Sequence, residues 1–295
     1  MQEVTRSGLD HVASITTLLQ RSRSAHPTHG SFDAAEIQYW WVVPRSTDAF
    51  DQLFWLDADG QPEAAFFVGD FGDGSSLTYE APTAIAAFLP DADAELVERV
   101  VQRGLEHLAA NGIDRVELEV GRDDLVLRDL LTSRGFEIRD EGLNEAWLDA
   151  GDRVPVSDLA DGYRLCTRAE VADRAHHLDR PNRAPAEPRL NQLSLYSPEF
   201  DLFVLAPDDS VAGYGLAWND PVTGVGVIEP MRTADEHQQR GIARHILTAA
   251  VDRLADAGAR RMKIAYASDN PGASRLYPDV GFTPFRVTDV FGRGS

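Results

Sequence analysis

The residues best suited to chemistry lie in the last quarter of the chain. In HQQRGIARHIL, residues 237–247, Gly241 and Ala243 stand between a polar run and an apolar-periodic segment. The pattern predicts a helix beginning near Gln239 or Arg240. The first N–H groups of a helix have no partner inside it, and the macrodipole adds about half a positive charge there. Such an end is a natural anion site. Gly241 and Ala243 remove side-chain bulk where a diphosphate would approach the backbone, which offsets the roughly 1 kcal/mol that glycine costs inside a helix relative to alanine. Arg240 and Arg244 add charge at the rim. Two titratable residues accompany this cradle: Glu229 in the strand-like run VIEPMRT, residues 227–233, and Tyr277 in DNPGASRLYPDVGF, residues 269–282.

Together these stretches resemble the GNAT acyltransferase superfamily, whose members use acetyl-CoA. Gln238, Gly241 and Ala243 match its Q/R-x-x-G-x-G/A signature after the fourth strand. Asn270, Ala273, Tyr277, Gly281 and Phe282 match N-x-x-A-x-x-x-Y-x-x-x-G-F at every named position, and GVIEPMRT resembles the fourth strand itself. The resemblance covers the chain from about residue 161 onward. It implies that the CoA diphosphate rests on the backbone N–H groups of Gln239, Arg240, Gly241, Ile242 and Ala243. It further implies that pantetheine runs beside Met231 and Thr233 like an added strand, that Asn270 hydrogen-bonds the cofactor arm, and that Ala273 keeps its helix face shallow.

Acetyl transfer to an amine needs a neutral amine, a thioester held in line, and a proton for the leaving thiolate. An aliphatic amine is mostly protonated near pH 7, so a carboxylate base is useful. The resemblance gives that role to Glu229 and the general-acid role to Tyr277. A phenol of pKa about 10 can hand a proton to a thiolate whose conjugate acid lies near 8.5 only if the site adjusts those values or the transfer is concerted. Two residues depart from the family pattern. Pro278 follows Tyr277 and is expected to end or kink the helix at the tyrosine. Asp235 brings an acid close to the anion site where relatives carry proline.

The elements that must position these groups show a repeat. Residues 105–136 and 251–282 align without a gap at an offset of 146, pairing Leu108 with Leu254, Gly112 with Gly258, Asp123 with Asp269 and Gly135-Phe136 with Gly281-Phe282. Each copy reads as helix, tight turn, strand, loop, helix, strand, and each is preceded by a hairpin pattern: LFWLDADGQPEAAFFVGD in the first half, DLFVLAPDDSVAGYGLAW in the second. A repeat of this length indicates duplicated domains. The expected fold class is α+β, an α/β sandwich of two tandem GNAT-like domains. Each is a mostly antiparallel twisted sheet flanked by helices, over residues 1–150 and 161–295 with a polar linker at 151–160.

The first copy lacks the ligand set. Tyr277 projects onto Leu131, Asn270 onto Asp124, Ala273 onto Leu127 and, with no gap, Gly241 onto Glu95. A carboxylate at that helix start would repel a diphosphate, so the first half reads as a degenerate domain that supports the fold or walls the acceptor site. YWWVV, residues 39–43, suits either an acceptor pocket or a contact between domains. His176 and His177 fall where GNAT enzymes shape the acceptor site; as neighbours they are expected to face different ways, without a shared metal.

Composition bounds the function. The net charge of −20 argues against nucleic acid and tilts slightly toward a cationic small molecule. No apolar run reaches the roughly 18 residues of a membrane helix, and no signal peptide is apparent. Cys166, the single cysteine, fits a reducing, cytoplasmic setting and lies in the strand-like YRLCTR, away from every motif. All basic residues but Lys263 are arginine, which reads as compositional bias. The reading is an N-acetyltransferase that moves acetyl from acetyl-CoA to a primary amine by direct attack in a ternary complex, with one site in the second half. The tandem plan with one eroded half is also similar to mycothiol synthase, which acetylates an amino-sugar thiol. A CoA-binding regulatory module without chemistry is the rival from another class, and a homodimer is compatible with the family.

Overall fold

The computed structural model describes residues 1–70, 79–171, 173–179 and 183–293. The first half runs β1 (Gln2–Arg6), α1 (Gly8–Ala25), α2 (Ala34–Trp41), β2 (Gln52–Leu56), β3 (Pro62–Gly69), β4 (Thr83–Phe88), α3 (Ala94–Ala110), β5 (Glu117–Gly121), α4 (Leu125–Ser133) and β6 (Phe136–Asp149). The second runs β7 (Arg164–Thr167), α5 (Glu187–Leu190), β8 (Asp201–Leu205), β9 (Val211–Asp220), β10 (Val225–Thr233), α6 (Ile242–Asp256), β11 (Arg261–Ala267), α7 (Pro271–Val280) and β12 (Thr283–Arg293). Both predicted hairpins and both copies of the repeated unit are present, and the class is α+β with a mostly antiparallel sheet.

The two sheets expected from the repeat are joined into one. Twelve strands follow the order β1-β2-β3-β4-β5-β12-β6-β11-β10-β9-β8-β7. Near its centre the halves exchange strands. β12, the last strand of the chain, pairs antiparallel with β5 and β6 of the first half, while β6 pairs with β11 of the second from Arg261↔Asp149 to Ala267↔Leu143. Residues 283–293 therefore complete the first half, and the boundary near residue 150 separates repeats in sequence rather than in space. The segment after β6 is also tied down. Ser157 N–H donates to Thr248 Oγ1 at 3.1 Å and Arg153 pairs with Asp252 and Asp256 on α6.

Alternating side chains divide the core. On one face Leu53, Trp55, Ala64, Phe66 and Ala84 meet the apolar stripe of α3, Val97, Val100, Val101 and Leu108. The contact is close because residue 104 is glycine: a Cβ there would lie 2.2 Å from the Phe66 ring. The same face of the second half packs Ile228, Ala217 and Met262 beneath Ile246, Leu247, Ala250 and Leu254 of α6. On the opposite face one cluster spans both halves, joining Ile15 and Leu18 of α1 and Ile37 of α2 to Leu190, Leu216, Trp218, Val225 and Val227. The first-half helix α2 thus packs on β9 and β10 of the second half. Tyr39, Trp40 and Trp41 are partly buried in that cluster, and Trp41 Nε1 donates to Gln192 Oε1 at 2.9 Å, so the aromatic run makes a contact between halves.

Candidate active site

Helix α6 begins at Ile242, two to three residues later than its pattern suggests, with Gly241 as its N-cap. Gly241 has φ +77° and Gln239 φ +58°. The glycine therefore stands outside the helix, in left-handed backbone that side chains other than glycine avoid. This conformation, and not crowding, calls for glycine, since an added Cβ would meet nothing within 4 Å. His245 N–H makes the first intrahelical bond, to Gly241 O at 2.9 Å. The N–H groups of Ile242, Ala243 and Arg244 precede any helical partner, and the positive-φ turns before them shape a concave run of backbone donors. Gln238 is held by its own Nε2 on Asp235 Oδ1 at 3.1 Å, so the acid that departs from the family pattern is engaged beside the cradle. Arg240 is exposed, and Arg244 reaches the Asp279 carbonyl at 3.2 Å, bracing α6 against α7.

The sheet opens beside this helix. β10 and β11 pair in parallel only from Val225–Val227 to Arg261–Lys263, whereas β10 stays paired with β9 as far as Thr233. Beyond Val227 the edge of β10 that carries Glu229, Met231 and Thr233 has no pairing with β11, and this is the edge the added-strand expectation concerns. Thr233 Oγ1 is buried with no hydrogen-bond partner. Across the cleft Asn270 caps α7, its Oδ1 accepting from Ala273 N–H at 3.1 Å, and Ala273 is buried beneath. The helix does not end at Tyr277. It runs through Pro278 to Val280 and stops at Gly281, φ +106°, with Phe282 N–H on the Tyr277 carbonyl at 3.0 Å. Pro278 lies in the last turn, where it forfeits one bond to the Ser274 carbonyl and leaves no long helix to kink.

Tyr277 packs 5.1 Å from Tyr266 and 6.1 Å from Phe282, ring to ring. Burial, then the neighbouring Glu229 carboxylate and Tyr266, push its phenol up to about 12. Burial first, then Glu36, pushes Glu229 up to about 8, with Glu119 adding to the rise and Lys263 opposing it. Glu36 belongs to the first half. Its Oε2 lies 2.7 Å from Lys263 Nζ, which also contacts Asp33 Oδ2 at 3.1 Å and the Ser31 carbonyl at 2.6 Å. Arg23 closes the group with two bonds to Asp33, at 2.8 and 2.9 Å. Lys263 is 0% exposed; burial alone would lower its proton affinity, but Glu36, Asp33 and Glu145 outweigh that and raise it. The only lysine of the chain is thus a structural charge under the candidate site and no product of composition alone. Its one sequence signal was a lone charge in the apolar strand RMKIAY.

In the first half the equivalent strands also part early, and a carboxylate caps the equivalent helix. β4 and β5 pair in parallel only through Thr83–Ala84, and a cavity of about 400 Å³ follows, lined in part by Ile85, Leu89, Glu119, Asp124 and Leu127. The N-cap of α3 is Asp93, whose Oδ1 accepts from Leu96 N–H at 2.8 Å. The structural counterpart of Gly241 is therefore Asp93 and not Glu95, because α3 begins two residues earlier in the repeat than α6. This carboxylate occupies the helix end itself.

His176 and His177 converge where divergence was expected, because they sit in a loop and not on a helix. Their Nε2 atoms lie 2.9 and 3.0 Å from the two oxygens of buried Asp201, to which Tyr196 Oη donates at 3.0 Å. His176 Nδ1 accepts from Leu178 N–H at 3.1 Å, so Nε2 carries the ring proton and donates to Asp201. A metal at that nitrogen would have to displace this proton, and the trio reads as a hydrogen-bonded brace. Burial opposes but its histidine partners prevail, holding Asp201 down at about 2. Cys166 is buried on β7 at the far sheet edge, and burial raises its thiol.

Residues 165–282 match the family model described as Acetyltransferase (GNAT) family. Solved structures of the same fold align over nearly the whole chain. A GCN5-related N-acetyltransferase from Sphaerobacter thermophilus shares 18% identity with TM-score 0.60, covering 99% of this chain and 95% of that one. A tandem GNAT protein from the clavulanic acid biosynthesis pathway shares 16% identity with TM-score 0.67, covering 99% and 97%. A GNAT-family acetyltransferase from Colwellia psychrerythraea shares 13% identity with TM-score 0.59, covering both chains completely. Among curated proteins none matches significantly. The family match lies within the second half, and the whole chain has the fold of the tandem GNAT structures. No described helix is long and apolar enough to cross a membrane.

Proposed function

We propose that this protein transfers acetyl from acetyl-CoA to a primary amine of a small molecule, at one site between β10, α6 and α7. The observation that carries the reading is the contrast between two equivalent helix ends. α6 opens behind a left-handed glycine with unpaired N–H donors, whereas α3 opens on the carboxylate of Asp93. An anionic diphosphate is accepted by the first and repelled by the second. The pantetheine amides would hydrogen-bond the free edge of β10 at Met231 and Thr233, leading the thioester toward Glu229 and Tyr277.

Glu229 takes a proton from the acceptor ammonium, directly or through water, and the freed nitrogen attacks the thioester carbonyl. The C–S bond then breaks, Tyr277 donates its phenolic proton or a hydrogen bond to the departing thiolate, and the second proton of the attacking nitrogen passes to the Tyr277 oxygen or to the thiolate, leaving a neutral amide and CoA thiol. An ordinary carboxylate is some six pKa units less basic than an aliphatic amine; a carboxylate near 8 narrows that gap to about two. Tyr277, held near 12, stays protonated and suits hydrogen-bond donation better than complete transfer. The test is release of CoA thiol from acetyl-CoA in the presence of a panel of primary amines, with Glu229→Gln as control. Amine-dependent thiol release that the variant loses supports the reading. Acetyl-CoA binding with no turnover on any amine would leave a CoA-binding module instead.

A further inference from the structure

We propose that the degenerate first half is a working part of the second-half site: Glu36, anchored on Lys263, is a positioning residue that governs how readily Glu229 releases its proton. This rests on Glu229 being the base. The geometry begins with α2, a first-half helix packed across β9 and β10, the strand that carries Glu229. Asp33 and Glu36 form a capping box at the start of that helix. Asp33 N–H donates to Glu36 Oε2 at 2.6 Å, which fixes the Glu36 carboxylate before any contact with the other half is made. The same oxygen lies 2.7 Å from Lys263 Nζ on β11, the strand forming the other side of the cleft. The first half therefore clamps, from above, the two strands whose separation makes the site.

The cluster carries an excess of negative charge. Arg23 is committed to Asp33, while Lys263 pairs with Glu36 and Asp33 and also acts on Glu229 through its charge. Four groups face Glu229 from the elements around it: Glu36 on α2, Lys263 on β11, Glu119 on β5 and Tyr277 on α7; Tyr79, ahead of β4, is within electrostatic reach. Glu119 is itself raised by burial and accepts from Tyr79 and Thr288. Glu36 is itself raised to about 7, chiefly by burial, and the charge of Lys263 opposes the rise of both carboxylates. A carboxylate that competes with Glu229 for one cation makes Glu229 more basic, and only the first half supplies it. The arrangement gives selection a reason to retain a half that has lost its own anion cradle.

The sign of the effect makes the idea testable. Removing the negative charge of Glu36 lowers the proton affinity of Glu229, and removing the positive charge of Lys263 raises it. The experiment is the pH dependence of kcat/KM for wild type, Glu36→Gln, Glu36→Asp and Lys263→Met, with thermal melts alongside. The acid limb of Glu36→Gln should move down by about one pH unit. Glu36→Asp, which keeps the charge, should hold the limb near its wild-type place, and Lys263→Met should move it up. A limb that stays put in a folded Glu36→Gln overturns the proposal, as does movement of Glu36→Gln and Lys263→Met in the same direction. If Lys263→Met does not fold, the Glu36 pair decides alone, because glutamine keeps the acceptor for Asp33 N–H. Glu229→Gln distinguishes the two levels: an unchanged limb in that variant removes Glu229 as the base, whereas a limb lost there but unmoved in Glu36→Gln removes only the role of the first half.

Discussion

Replacing Gly241 with aspartate gives α6 the capping residue of α3 and separates affinity from stability. At φ +77° any residue with a Cβ pays about 1–2 kcal/mol for left-handed backbone, with aspartate among the better tolerated. No atom lies within 4 Å of the new Cβ, so steric clash adds nothing. When residue 241 relaxes to the extended backbone that Asp93 holds, φ −79°, the aspartate carboxylate can accept from Arg244 N–H as Asp93 does from Leu96 N–H at 2.8 Å, and a new N-cap returns about 1 kcal/mol. The melting temperature of Gly241→Asp should therefore stay near wild type. Affinity should not. The carboxylate takes a donor meant for the diphosphate, and a hydrogen bond to a charged group contributes about 1.5–3 kcal/mol, equivalent to a Kd weakened about 10- to 150-fold.

Gly241→Ala supplies the mirror image, because alanine bears the left-handed strain without offering a carboxylate. It should lower the melting temperature while retaining most of the affinity. The assay is calorimetric titration of acetyl-CoA into each variant, with a melt of the free protein. Wild type should bind one equivalent. If Gly241→Asp binds within a factor of about three of wild type, too little to represent one lost charge-assisted bond, the diphosphate does not rest on this helix end. Two equivalents in wild type would show that Asp93 fails to exclude a second molecule.

Further outcomes follow from the other groups. Tyr277→Phe should cut kcat by about 100-fold or more while sparing acetyl-CoA affinity, since the phenol acts on the leaving group and not on the diphosphate. In wild type kcat/KM should rise with pH through about 8, because Glu229 must lose its proton to act, and Glu229→Gln should abolish that limb. Asp201→Ala should destabilise the fold by about 3–5 kcal/mol, measured by denaturant titration, as it strands two buried imidazoles. Because Asp201 is held near 2, its contribution is complete above the unfolded value near 4 and should fade only as pH falls from there toward 2. Cys166→Ala should leave turnover largely intact; loss of activity would point to a covalent step at a thiol the fold keeps buried.

The local plan of the chain was legible because it is written in short-range signals. Gly258 and Gly281 end helices at positive φ, the apolar stripe of α6 runs at helical spacing, and Asp57–Gln61 closes a hairpin between alternating strands. The motif residues lie on β10, at the start of α6 and on α7, the elements their spacing predicted. What pattern could not convey was partnership. β6 and β12 both follow a Gly-Phe boundary and would satisfy their edges equally well beside either half, so nothing local distinguishes exchange from two closed sheets. Lys263 was misread because a single charge in an apolar strand is explained only by Asp33 and Glu36, some 230 residues away in sequence. Asp93 was missed because an ungapped offset ignores a helix that starts two residues earlier, and His176 with His177 because helix geometry was assumed for a loop.

The exchange of β6 and β12 has a consequence for how the molecule lives in solution. Between separate chains such an exchange would be an assembly, and the folded fraction would depend on dilution. Here both partners are covalently joined, so the interface forms at a fixed effective concentration however scarce the protein is. A cell could hold a handful of copies and each would still be complete. The covalent join also removes the requirement that the partners be identical, which a symmetric pair of like chains imposes on every mutation. One partner is then at liberty to surrender its ligand and keep only its grip on the other.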